Sequence, residues 1–206
     1  MSQGQTGTIW DVNDTLYPWN DFNTAGSVTI PTVHASDAGA TVTIQGLDEN
    51  YLFASETVTV ANGTPVSTET SWSRVNRAFF TDDNPNAGVI DIQKNSNTVA
   101  KINVGKAQTL MSIYTIPADT TGYLTQGTCS IKSGGDATVD MFVRYGGEGT
   151  FRVGHSFEIQ GDGGQYFYRF SVPIALPEKT DIDVRALVRS NNARVTAAFD
   201  VILIDN

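Results

Sequence analysis

The sequence predicts an all-β protein with two antiparallel β-sandwich domains, jelly-roll or immunoglobulin-like, preceded by an irregular N-terminal arm. The 206-residue chain contains 25 Thr and 19 Val against 8 Leu, and β-branched side chains favour strands. Apolar and polar residues alternate along many segments, which is the period of a half-buried strand. Stretches rich in Gly, Asn and Pro separate these segments about every 10–15 residues, a rhythm typical of sandwiches and barrels.

The chain length suits two domains of about 100 residues each. We place the irregular arm at residues 1–26, an N-terminal β domain at 27–106 and a C-terminal β-sandwich domain at 107–206. The arm is rich in Gly, Asn and Asp and lacks a sustained alternating pattern. The boundary at 106 follows a change of pattern at Gly105 and Lys106.

Strand patterns are clearest in the C-terminal half of the chain. There the alternation predicts six strands, at 122–131, 137–145, 151–159, 165–174, 181–189 and 194–204. The N-terminal half predicts shorter strands, at 41–45, 56–60, 70–80, 88–92, 99–104 and 110–116. Gly-rich separators such as 146–149 are predicted to be hairpin turns, because they match no phosphate-binding loop and no helix follows them.

The charge pattern argues against a nucleic-acid ligand. The chain has 13 Lys and Arg scattered among 22 Asp and Glu, for a net charge of −9, whereas phosphate binding requires clustered basic residues. No apolar run approaches the ~18 residues that a membrane span needs. The N-terminus lacks the basic start and apolar stretch of a secretory signal. We therefore expect no nucleic-acid or membrane partner and synthesis in a cytoplasm.

No motif predicts a metal, a cofactor or a nucleophile. The only His residues are His34 and His155, and Cys129 is the single cysteine, so metal-ligand spacings and disulfides are absent from the sequence. Cys129 lies in an alternating segment, which predicts a small buried apolar residue. His155 is predicted to be an ordinary strand histidine. We expect no cofactor.

Asp181 and Asp183 are the one pair of carboxylates that could suggest glycoside hydrolysis. They lie two residues apart on a predicted strand and therefore share a face, which continues with Arg185. We favour a solvated face of a sheet that carries cross-strand ion pairs. An acid/base pair of a glycan hydrolase is the alternative.

Aromatic residues offer two candidate features. The arm contains Trp10, Tyr17, Trp19 and Phe22, and large aromatics often anchor interfaces. These four residues are candidate partner contacts, and the alternative is that the segment packs on its own domain. On the strand at 165–174, Tyr166, Tyr168 and Phe170 share one face, whereas Phe167 and Arg169 share the other. We expect the first set to be sandwich core rather than a ligand platform.

Several segments resemble a family of small, β-rich virion structural proteins from tailed bacteriophages, many of which infect marine bacteria or cyanobacteria. The resemblance covers roughly residues 40–206 and leaves the arm uncovered. It lies in the segments Thr41–Asp48, Ser55–Val60, Ser71–Ala78, Lys101–Tyr123 and Pro177–Ala186 together with Phe199–Asn206.

This resemblance implies a particle component without enzymatic activity. The short, two-part β chain is similar to capsid decoration (cement) proteins, which bind the outside of the major capsid protein shell and stabilise it, commonly as homotrimers. The expected location is therefore the virion, and the expected partners are the major capsid protein or other virion proteins. The alternative is a tail-tip, baseplate or fibre-associated protein that binds host-surface glycan.

Overall fold

A computed structural model describes residues 2–12, 14–132, 135–161, 163–190 and 193–206. The described part of the chain is all-β, with antiparallel sheets and three short 3₁₀ helices at Trp19–Phe22, Ala35–Asp37 and Tyr145–Gly147. The predicted all-β class is confirmed. The strands are β1 (Thr6–Thr8), β2 (Thr29–Ile30), β3 (Thr41–Asp48), β4 (Phe53–Thr59), β5 (Val66–Ser67), β6 (Trp72–Phe80), β7 (Ile90–Lys94), β8 (Asn97–Ile102), β9 (Ile113–Thr115), β10 (Thr120–Lys132), β11 (Ala137–Arg144), β12 (Arg152–Ile159), β13 (Gln165–Leu176), β14 (Asp181–Val188) and β15 (Arg194–Asp205).

The chain divides into two compact units. The C-terminal unit comprises the described residues of 1–9, 13–17 and 112–206, and the N-terminal unit comprises 10–12 and 18–111. The boundary in mid-chain lies between Met111 and Ser112, a few residues beyond the one we placed at 106. The segment that we expected to be an arm is divided between both units.

The C-terminal unit contains two antiparallel sheets. In the larger one, β14 lies between β11 and a pair of short strands, β1 and β9, and β12 forms the opposite edge beside β11. The smaller sheet has β10 at its centre, with β13 and β15 as its edges. The six predicted strands of this half all occur, with bounds within about two residues, the usual uncertainty of strand ends.

The two sheets of the C-terminal unit share one apolar core. Alternate residues of each strand point into it, as the period of a strand requires. The fully buried members from the larger sheet include Val139, Ile182 and Val188, and those from the smaller sheet include Leu124 and Ile131. This burial fixes the register of the strands, because a slip by one residue would turn the apolar set outward.

The N-terminal unit is also built from antiparallel sheets. One has the order β5-β2-β7-β8 and the other the order β4-β3-β6. Their buried side chains come mostly from alternating positions, among them Val42, Ile44, Val75, Ile90 and Ile102. The segment predicted at 70–80 is a strand, β6. In the described part of the chain, no helix is long and apolar enough to cross a membrane.

Candidate functional site

The four candidate contact residues of the N-terminal segment are buried within the chain itself. Trp10 is 7% exposed, Tyr17 3%, Trp19 5% and Phe22 3%. All four side chains are therefore covered by other residues of the same chain. A partner contact by these side chains stays a prediction, and it would require the segment to detach from the residues that now bury it.

Two cations of the N-terminal unit hold Trp19 and Phe22. The Arg74 guanidinium lies 5.5 Å from the ring centre of Trp19 and 5.2 Å from that of Tyr51, and it donates to the carbonyl of Ser73 at 2.6 Å. The Lys94 ammonium lies 5.5 Å from the ring centre of Phe22. Contacts of a buried cation with aromatic faces are attractive, so the 3₁₀ helix at Trp19–Phe22 is anchored by its own unit.

Asp181 and Asp183 form a buried ionic network in the C-terminal unit. Asp181 accepts from Arg144 Nε at 2.8 Å and Nη2 at 2.6 Å, and from Thr115 Oγ1 at 2.6 Å. Asp183 accepts from Arg185 Nε at 2.9 Å and from Thr8 Oγ1 at 2.9 Å. Both carboxylates are 0% exposed.

The expectation of a solvated face at these residues is wrong. One expected cross-strand ion pair is present, between Arg144 of β11 and Asp181 of β14, whereas Asp183 and Arg185 pair within β14. Phe151 covers the network: its ring centre lies 4.6 Å from the Arg144 guanidinium and 4.9 Å from that of Arg185. The N-terminal segment covers it from another side, because the Tyr17 amide donates to Thr8 Oγ1 at 2.9 Å. Neither carboxylate is accessible to a glycan in this arrangement.

Cys129 is buried among the apolar residues of the core, as expected. Burial raises the pKa of its thiol from 9.0 to about 11. The thiolate is the reactive form of cysteine.

We expect Cys129 to react very slowly with Ellman's reagent in the native protein. The raised pKa alone lowers the thiolate fraction at pH 8 by about 100-fold, and burial blocks access of the reagent as well. Reaction in guanidinium chloride should be complete within the time expected of an ordinary thiol. Equal rates in native and denatured protein would contradict the burial described above.

A ring of five aromatic side chains lies between β12, an edge strand of the larger sheet, and β13, an edge strand of the smaller sheet. The ring centres of consecutive members are 4.6–6.5 Å apart, in the order His155, Phe157, Tyr166, Tyr168 and Phe170, and His155 closes the ring against Phe170 at 4.9 Å. Phe157, Tyr166 and Phe170 pack on the core, whereas Tyr168 is 41% exposed. The expectation of core packing therefore holds for Tyr166 and Phe170, and Tyr168 reaches solvent.

His155 should make stability depend on pH below neutrality. Burial lowers its pKa from the ordinary value of 6.5, so the unfolded chain takes up a proton before the folded chain does. The stability supplied by neutral His155 is thus fully present above pH 6.5 and is lost as the pH falls below it. Thermal melts of the wild type and of His155→Phe should show a larger drop between pH 7.5 and pH 5 for the wild type. A parallel drop in both proteins would exclude this assignment.

The outer face of the smaller sheet in the C-terminal unit exposes several large apolar side chains. It carries Phe167 at 63% exposed, Ile202 at 55% and Ile204 at 53%. Within the described residues, β13 and β15 pair only with β10, so each leaves one edge of the sheet unpaired. The sequence pattern already placed Phe167 and Arg169 on one face, but it gave no sign that this face lies at an edge.

No protein-family model, curated protein or solved structure matches this chain. Among the described residues, no group of three or more His, Cys, Asp and Glu side chains is placed to hold a metal ion.

Proposed function

We propose that this protein is a non-enzymatic structural component of a bacteriophage virion, a capsid decoration protein that binds the outside of the major capsid protein shell and stabilises it as a homotrimer. The observation that carries the proposal is the smaller sheet of the C-terminal unit, which exposes Phe167, Ile202 and Ile204 and has two edges that no other described strand pairs with. Large exposed apolar patches and open sheet edges mark surfaces that contact other proteins. The assignment to a bacteriophage virion comes from the sequence resemblance to virion structural proteins.

In this proposal each unit is a separate antiparallel β-sandwich, of jelly-roll or immunoglobulin-like type. Support comes from the C-terminal unit, where residues of both sheets contribute to one core. Such a scaffold is rigid and suits a protein whose task is to present a fixed surface to a shell. The charge of −9 suits a soluble protein that is made before it joins the particle.

The test is location and copy number on purified particles of the phage that encodes this chain. We expect immunogold electron microscopy to label the shell and quantitative mass spectrometry to give a copy number comparable to that of the major capsid protein. Particles lacking the protein should lose their genome at a lower temperature. A handful of copies per particle would refute a decoration role.

The second candidate is a tail-tip, baseplate or fibre-associated protein that binds host-surface glycan. The aromatic ring between β12 and β13 favours it, because sugars stack on aromatic side chains and Tyr168 is 41% exposed. Label confined to the tail, together with binding on a glycan array that Tyr168→Ala abolishes, would establish this role instead. Thr196→Ala, at an exposed position on β15 of the same unit, is the matched control.

A further inference from the structure

The two free edges of the smaller sheet are complementary to each other. Both β13 and β15 run antiparallel to β10 and are therefore parallel to one another. In the half of the sheet that holds residues 165–169 of β13 and 196–200 of β15, the register is regular, and each outer residue of β10 has one neighbour on either edge.

Three rows cross the outer face of the sheet in this region. Ser130 lies between Gln165 and Thr196, Thr128 between Phe167 and Ala198, and Gln126 between Arg169 and Asp200. The two residues at the ends of each row are thus complementary. Gln165 and Thr196 are both polar, Phe167 is large where Ala198 is small, and Arg169 is cationic where Asp200 is anionic. Arg169 and Asp200 are both exposed.

We propose that copies of this protein associate head to tail, with residues 165–169 of β13 in one copy beside residues 196–200 of β15 in the next. This arrangement continues each row from one copy into the next, so that Arg169 meets Asp200 and Phe167 covers Ala198. Two β13 edges related by a twofold axis would pair antiparallel, with Phe167 against Phe167 and Arg169 against Gln165. Two β15 edges would likewise place Ala198 against Ala198 and Asp200 against Thr196. Only unlike edges bring Arg169 to Asp200, so the charges favour the head-to-tail contact.

The rest of β13 limits the length of this contact. Between Arg169 and Ile174 the pairing with β10 shifts, since Gln126 faces Arg169 and Leu124 faces Ile174. Pro173 lies in this bulge and offers no backbone donor. Bulges and prolines are devices by which edge strands limit pairing, so the contact is confined to the regular segment.

A heterologous contact of this kind closes into a ring when the rotation between copies allows it. The inference deepens the proposed function, and only the expected number of three copies rests on it. Self-association is measured on the isolated full-length protein, whereas decoration is measured on particles. A soluble ring together with no label on the shell would refute the decoration role and leave the proposed contact intact. A monomeric protein that labels the shell would refute the contact and leave the decoration role intact.

The experiment is light scattering coupled to size-exclusion chromatography over a dilution series, for the wild type, Arg169→Asp, Asp200→Arg and the double reversal. We expect the wild type to form one discrete oligomer. Each single reversal should raise the concentration of half-dissociation about tenfold or more, since like charges then meet at each contact. The double reversal should return it to within about threefold of the wild-type value.

Arg152→Asp is the matched control, because it makes the same charge change at an exposed position on β12 of the other sheet. It should leave the assembly unchanged. If a reversal fails to fold, as judged by far-UV circular dichroism, Phe167→Ala replaces it and should weaken association without changing charge. A wild type that stays monomeric at about 100 μM, single reversals without effect, or a double reversal as weak as the singles would each overturn the proposal.

Discussion

Replacing Arg144 by Met should destabilise the C-terminal unit by about 3–5 kcal/mol, the usual effect of removing one partner from a buried ion pair. Asp181 is 0% exposed and accepts two hydrogen bonds from this guanidinium. Met fills much of the same volume, so the loss is mainly the free energy of a buried charge left without its cation. Phe151 would lose one of its two cation contacts as well.

Two variants separate this effect from a general loss of packing. Arg189→Met removes an exposed arginine that pairs with Glu158 at 3.5 Å, and exposed pairs contribute at most about 1 kcal/mol. Arg144→Met combined with Asp181→Asn should recover about half of the lost stability, because the buried carboxylate that lost its cation is then uncharged as well. If Arg144→Met unfolded at the wild-type urea concentration, the network would not stabilise the fold.

The two units can be followed separately in these measurements. Trp10, Trp19 and Trp72, the only tryptophans in the sequence, all belong to the N-terminal unit, so tryptophan fluorescence reports its unfolding. Cys129 is the single cysteine and belongs to the C-terminal unit, so thiol exposure reports the other. Arg144→Met should lower the urea concentration at which the Cys129 thiol becomes exposed.

The strands of the C-terminal half could be predicted because alternation is a local property of a strand. Every second side chain of a strand lies on the same face, so a half-buried strand shows alternating apolar and polar residues wherever it lies in its sheet. Three of the four shortest strands, β1, β2 and β5, have only two or three residues each and no neighbouring alternation, too little for a pattern to emerge.

The candidate sites were harder to predict because they depend on residues far apart in the chain. The Asp181 face is covered by Phe151 and by the segment around Tyr17. These residues are far from Asp181 in the sequence, so the local pattern around Asp181 could not predict its burial. Trp19 is held by Arg74 from a distant strand. Alternation placed Phe167 on the face opposite Tyr166, but only the strand order β13-β10-β15 puts Phe167 at an open edge.

Replacing Gly46 by Ala should destabilise the N-terminal unit by about 3 kcal/mol or more, or prevent its folding, because overpacking against backbone cannot relax through a rotamer change. Gly46 lies in β3 at a point where the pairing with β6 shifts register. A Cβ at this position would overlap the carbonyl oxygen of Arg74 and lie 2.9 Å from its carbonyl carbon.

Gly127→Ala is the control that isolates this steric cause. Gly127 is also in a strand, β10, but the atom nearest to an added Cβ is the carbonyl oxygen of Ala198 at 3.9 Å. Ala restricts the unfolded chain more than Gly does, so this variant should be neutral or more stable by about 0.5–1 kcal/mol. Gly46→Ala should lower the urea midpoint of tryptophan fluorescence, which reports its own unit. Gly127→Ala should leave unchanged, or raise, the urea midpoint of thiol exposure, which reports the C-terminal unit. A tryptophan midpoint of Gly46→Ala equal to that of the wild type would show that β3 and β6 do not approach as closely as described, and the place of Arg74 near Trp19 would then need revision too, because Arg74 is the residue at that approach.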